Sequence, residues 1–62
     1  MNAELSQKAG QLIQMFYDMG VTFEERERFV QAVAAAPDED SLPAFAKDLM
    51  RRAAEERTRL YG

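Results

Sequence analysis

Apolar residues recur at intervals of three and four along most of this chain, the spacing of a helix that turns one face inward. Leu5, Ala9, Leu12, Ile13 and Phe16 form the first such row, with Glu4, Gln7, Gln11, Gln14 and Asp18 opposite. Asn2 stands where an N-cap belongs and Gly20 where a helix ends on a left-handed residue, so the pattern predicts a first helix over 3–19. Thr22-Phe23-Glu24-Glu25 then reads as a capping box. In that motif the hydroxyl accepts from the amide three residues on, whose own carboxylate reaches back. Glu24 and Glu25 also suit the positive end of a helix dipole. Phe23, Val30, Val33 and Ala34, widened by Phe29, give a second helix over 22–36. Pro37 ends it, because a proline disfavours helical geometry in the residue before it.

The third predicted helix covers 41–61, capped by Asp40 or Ser41, with Pro43 tolerated in its first turn. Leu42, Phe45, Ala46, Leu49, Ala53 and Leu60 line its inner face, with Met50 at the edge; Lys47, Asp48, Arg51, Arg52, Glu55 and Arg59 line the other. Such a helix is about 30 Å long at 1.5 Å per residue. The second helix is too short to cover it, so its last turns are expected to project or to pair with something. The expected fold is all-α: one domain over 1–62, a small antiparallel three-helix bundle with a long C-terminal helix.

Length sharpens that expectation. A chain of 62 residues buries only about 60% of the surface its unfolded form exposes, so its stability is marginal. It contains neither Cys nor His, so disulfides and the usual structural zinc sites are excluded. Helix packing, self-association or a partner must supply the stability. With 47% hydrophobic and 31% charged residues, the chain has the profile of a folded globule. Eight basic against eleven acidic residues give a net charge of −3, the wrong sign for most nucleic-acid binders. Met1-Asn2-Ala3-Glu4 lacks the basic and apolar regions of a signal peptide. No apolar run approaches the roughly 20 residues of a membrane span. The expected location is cytoplasmic, with no membrane partner.

Catalysis is the first function the composition argues against. Without His or Cys, the commonest general base, the commonest metal ligand and the thiolate nucleophile are missing. Ser6, Ser41, Thr22, Thr58, Lys8, Lys47 and the carboxylates remain, and several of these are assigned to caps. A bundle this thin also has little interior in which to desolvate a carboxylate. No catalytic residue, metal site or cofactor is therefore expected. Asp38-Glu39-Asp40 is the densest charge cluster. A calcium loop counted from Asp38 needs glycine sixth and glutamate twelfth, where this chain has Pro43 and Leu49. The cluster reads instead as an acidic loop favouring the start of the third helix.

DNA binding finds little support. Lys47, Arg51, Arg52, Arg57 and Arg59 are five of the eight cations. Asp48 precedes Arg52 by four, Arg51 precedes Glu55, Arg52 precedes Glu56, and Glu55 precedes Arg59. Such spacings mark a solvated helix laced with weak ion pairs, whose projected field largely cancels.

Three features exceed what folding requires. Arg26 falls inside the apolar stripe of the second helix, among Phe23, Phe29, Val30 and Val33. There it must snorkel, pair with a carboxylate such as Asp18, or meet a partner. Met15, Tyr17, Phe29 and Tyr61 fall at the margins of their stripes, and aromatic and Met side chains are enriched at interface cores. Ser6 and Gly10 lie one turn apart beside Ala9. Gly10 costs about 1 kcal/mol relative to Ala in a helix interior, to be offset by close packing on the third helix or on a second subunit. Phe16, Phe23 and Phe45 read as ordinary core.

Met19-Gly20-Val21, between a first helix and two more, resembles the ubiquitin-associated domain, a family whose Met-Gly-aromatic loop contacts ubiquitin. Val21 stands where that family prefers an aromatic, and the likeness is one of architecture, carrying no function here.

The sequence therefore predicts a non-enzymatic protein that acts by docking onto another protein, as an inhibitor, adaptor or regulatory subunit, with a homodimer as one form in which it does so. The expected contact residues are Arg26, Phe29, Met15, Tyr17 and Tyr61. The alternatives are a dimeric DNA-associated transcriptional regulator and a structural assembly subunit.

Overall fold

A computed structural model describes residues 2–62. The order of elements is α1 (Ala3–Ile13), α2 (Phe16–Met19), α3 (Phe23–Ala35), a 3₁₀ turn (Glu39–Ser41) and α4 (Ala44–Tyr61). The fold is all-α, with α1, α3 and α4 packed around one core and α4 the longest. At about 1.5 Å per residue α4 is about 27 Å long, and the whole molecule measures 29 × 24 × 16 Å.

The caps confirm most of the expected boundaries. The Asn2 side chain accepts a hydrogen bond from the Leu5 amide at 3.0 Å, and its Nδ2 donates to the Pro37 carbonyl at 3.1 Å. That second bond ties the start of α1 to the end of α3, so the two run antiparallel. The Thr22 hydroxyl accepts from the Glu25 amide at 3.1 Å, and the Glu25 carboxylate accepts from the Thr22 amide at 2.9 Å. Gly20, at φ +76°, is left-handed. The Val21 amide donates to the Phe16 carbonyl and the Gly20 amide to that of Tyr17, which together make a Schellman closure.

Two boundaries differ from the sequence pattern. The predicted helix over 3–19 is broken at Gln14-Met15, where the Met15 amide donates to the Leu12 carbonyl three residues back. An unbroken helix would place Met15 about a quarter-turn from the Leu5–Ala9–Leu12 row. The break turns it inward, and Met15 and Phe16, although adjacent, are both buried. The C-terminal helix starts at Ala44, not near residue 41. Pro43 forces Leu42 into an extended conformation (φ −64°, ψ 144°) and itself occupies the N-cap position, as expected for a residue followed by proline. Asp38 caps the 3₁₀ turn instead, accepting from the Ser41 amide and hydroxyl at 2.9 Å each.

The core comprises Leu5, Ala9, Leu12, Met15, Phe16, Phe29, Val33, Ala36, Leu42, Ala46, Leu49, Met50 and Ala53. Phe16 and Phe29 meet edge to face, ring centroids 5.0 Å apart and planes at 74°, an arrangement that adds about 0.5–1.5 kcal/mol beyond burial. No polar or charged side chain is buried among the described residues. Polar groups act at the rim: Lys8 reaches Glu39 at 2.9 Å, and the Arg28 guanidinium lies 4.5 Å over the Phe45 ring.

Candidate functional site

α3 carries two apolar stripes on neighbouring faces, and the bundle buries only one. Phe29, Val33 and Ala36 point into the core with Ala32 beside them, whereas Phe23 and Val30 face solvent, Phe23 at 67% exposure. The sequence pattern merges the stripes and predicts Phe23 as core, whereas the structure leaves it exposed. Arg26 belongs with the outer stripe: it is exposed and makes no ion pair among the described residues. It therefore bears no burial penalty, and the need for it to snorkel disappears.

Beside that stripe runs a groove of about 170 Å³ between α1 and α3. Ser6, Ala9, Gly10 and Ile13 form one wall, Phe29, Val30, Val33 and Ala34 the other. None of these side chains is charged. Gly10 lies at an open position: a Cβ built there meets nothing within 4 Å. Its place in the helix is thus not explained by tight packing on α4, nor by any other contact within the chain.

The five predicted contact residues separate. Phe29 is fully buried, at 0% exposure, and Met15 is buried by the helix break. Met15 is closed off from any partner while the bundle stays folded, and Phe29 only backs the wall of the α1–α3 groove. Both are core residues of the bundle. Tyr17 (83% exposed), Tyr61 (75%) and Arg26 are on the surface. Sequence reasoning missed Phe23 and Val30 as surface residues. The signal was present, since Phe23, Val30 and Ala34 lie seven and four apart on a face distinct from that of Phe29, Val33 and Ala36.

The outer face of α4 is electrically closed. Arg51 bonds Asp48 at 2.7 Å and Glu55 at 3.2 Å; Arg52 approaches Asp48 at 3.6 Å; Arg59 grips Glu56 at 2.8 Å. Arg51 and Arg59, through these hydrogen bonds, hold the Asp48 and Glu56 carboxyls below their ordinary range. The Thr22 amide does the same to Glu25. Every resolved carboxylate shift is downward, away from the raised value a general acid needs near neutrality. Among the described residues, no three metal-ligating side chains cluster. No helix there is long and apolar enough to cross a membrane. Val21, in the loop that resembles the ubiquitin-associated family, is half-buried against the core and completes the Schellman closure.

Compared with known families, characterised proteins and solved structures, the chain matches none.

Proposed function

We propose that this is a non-enzymatic binding protein, an inhibitor, adaptor or regulatory subunit, whose principal contact surface is the α1–α3 groove with the outer stripe of α3. The observation that carries the reading is the uncovered stripe itself: Phe23 and Val30 are exposed, and Val30 and Gly10 stand on the two walls of an uncharged groove. An apolar helix or extended segment of a partner protein suits this surface, as in other helix-in-groove complexes. Exposed apolar surface next to a groove marks interaction sites in small soluble proteins. Arg26 lies on the same stripe, where an arginine adds a directional anchor.

A photocrosslinking amino acid at Val30 tests this, with Lys47 as the control position on α4. In extract of the source cells, Val30 should capture a discrete protein that the Lys47 position does not. A Phe23→Ser change should reduce the capture without loss of helicity. Equal capture at both positions, or capture indifferent to Phe23→Ser, would refute the groove as the contact. Sedimentation of the purified chain distinguishes a homodimer or a larger assembly. A gel shift at two salt concentrations addresses nucleic acid, because phosphate-driven binding weakens steeply with salt. The closed ion-pair network of α4 favours no shift.

A further inference from the structure

We propose that a second cleft, between α1 and the last turns of α4, docks an acidic segment of a partner protein that also carries an apolar side chain. The cleft has a volume of about 420 Å³, with Lys8, Gln11 and Leu12 on one side and Arg57, Thr58 and Tyr61 on the other. Its charged side chains are two cations and no carboxylate, in a chain whose net charge is −3.

Arg57 is the decisive group. On α4, Arg51, Arg52 and Arg59 each have a carboxylate three or four residues away and bond to it. Arg57 has Ala53, Ala54, Leu60 and Tyr61 at those positions, and it makes no ion pair among the described residues. It lies off the neutralised face, on the side of the helix that looks across to α1. Lys8 is bonded to Glu39 at 2.9 Å, but both side chains are about half exposed. An exposed pair of this kind contributes little, so Lys8 can be shared with an incoming carboxylate. Glu4, Asp38, Glu39 and Asp40 border Lys8 on its other side and would repel an acidic segment that overran the cleft.

The apolar half of the specificity comes from α4 outrunning its neighbours. Tyr61, near the end of α4, lines the cleft opposite Leu12 and is 75% exposed. A carboxylate can bond the Arg57 guanidinium through two parallel hydrogen bonds, while a leucine or aromatic of the same segment covers the Tyr61 ring. The α1–α3 groove, having no charged lining, selects for neither sign. The two surfaces share no residue, and the cleft stands or falls independently of the groove.

The test is an amide-shift titration of isotopically labelled full-length protein with two short synthetic peptides of equal leucine and tyrosine content, one rich in glutamate and the other in lysine. The glutamate peptide should move the amides of Lys8, Gln11, Ala54, Arg57, Thr58 and Tyr61, and the lysine peptide should move none of them. Arg57→Glu should weaken the glutamate peptide by about tenfold or more, as expected for reversing a charge at an interface. Arg59→Glu, on the neutralised face, should leave it nearly unchanged. Both variants are at exposed positions, and circular dichroism checks that they fold. The proposal is overturned if neither peptide binds, if both bind alike, if the shifts fall elsewhere, or if Arg57→Glu binds as the parent does.

Discussion

Replacing Gly10 with alanine should stabilise the free protein and weaken its groove, two effects of opposite sign from one methyl group. Gly10 lies inside α1 without the positive φ that marks Gly20 and Gly62, so alanine fits its backbone without strain. The added Cβ meets no atom within 4 Å, so no steric cost offsets the gain. Glycine in a helix interior costs about 0.8–1 kcal/mol relative to alanine, largely because the unfolded chain has more freedom to lose. For a domain of about this size, 1 kcal/mol moves Tm by roughly 4–8 °C. Thermal unfolding followed by far-ultraviolet circular dichroism should therefore show Gly10→Ala melting several degrees above the parent. The same methyl projects into the α1–α3 groove and should reduce photocapture at Val30. A lowered Tm would refute the reasoning at its base, since it would mean that the glycine is needed by the fold. A raised Tm with undiminished capture would leave the fold argument intact and remove Gly10 from the contact.

Three further outcomes follow from the packing and the titrating groups. Phe29→Ala removes a fully buried ring packed on Phe16 and should cost about 3–5 kcal/mol. That is a large part of the roughly 3–9 kcal/mol available to a chain this short, so its urea midpoint should fall steeply or helicity should be lost. Gly20→Ala places a Cβ at φ +76° and should destabilise by about 1–2 kcal/mol, read as a lower urea midpoint with unchanged slope. Glu25, Asp48 and Glu56 have carboxyls held below their ordinary range by the Thr22 amide, Arg51 and Arg59 respectively. Because the folded values are depressed, the stability these groups add is present above the ordinary carboxylate range and is lost as pH falls through the folded values. Tm should thus be level around neutrality and decline below about pH 4; a Tm that rose on acidification would contradict the assignment.

The fold was legible wherever punctuation and period agreed. Asn2, Thr22, Glu25 and Gly20 each do locally what their residue types favour, and the local geometry survived packing. The break at Gln14-Met15 was not legible by the same means, since neither proline nor glycine marks it. What marks it is crowding: Met15 and Phe16 are both apolar, and a continuous helix can turn only one of them fully inward, so burying both requires an extra twist. The start of α4 was misread because proline was judged by its own tolerance in a first turn and not by the constraint it places on Leu42. The candidate surface was the least legible part. In α3 Phe23, Phe29, Val30, Val33 and Ala34 spread over two neighbouring faces, so periodicity accommodates two phases, and packing against α1 and α4 places Phe29 and Val33 inside. Met15 and Phe29 lie at the stripe margins of their isolated helices and become central once the helices meet.

Both tyrosines are on the outside, and there is no tryptophan. Their phenol rings are bathed in water whether the chain is folded or not, so ultraviolet emission is a poor gauge of unfolding for this molecule. The same placement makes the light it emits a natural reporter of company: anything settling over Tyr61 or Tyr17 would change the brightness of a ring that folding leaves alone.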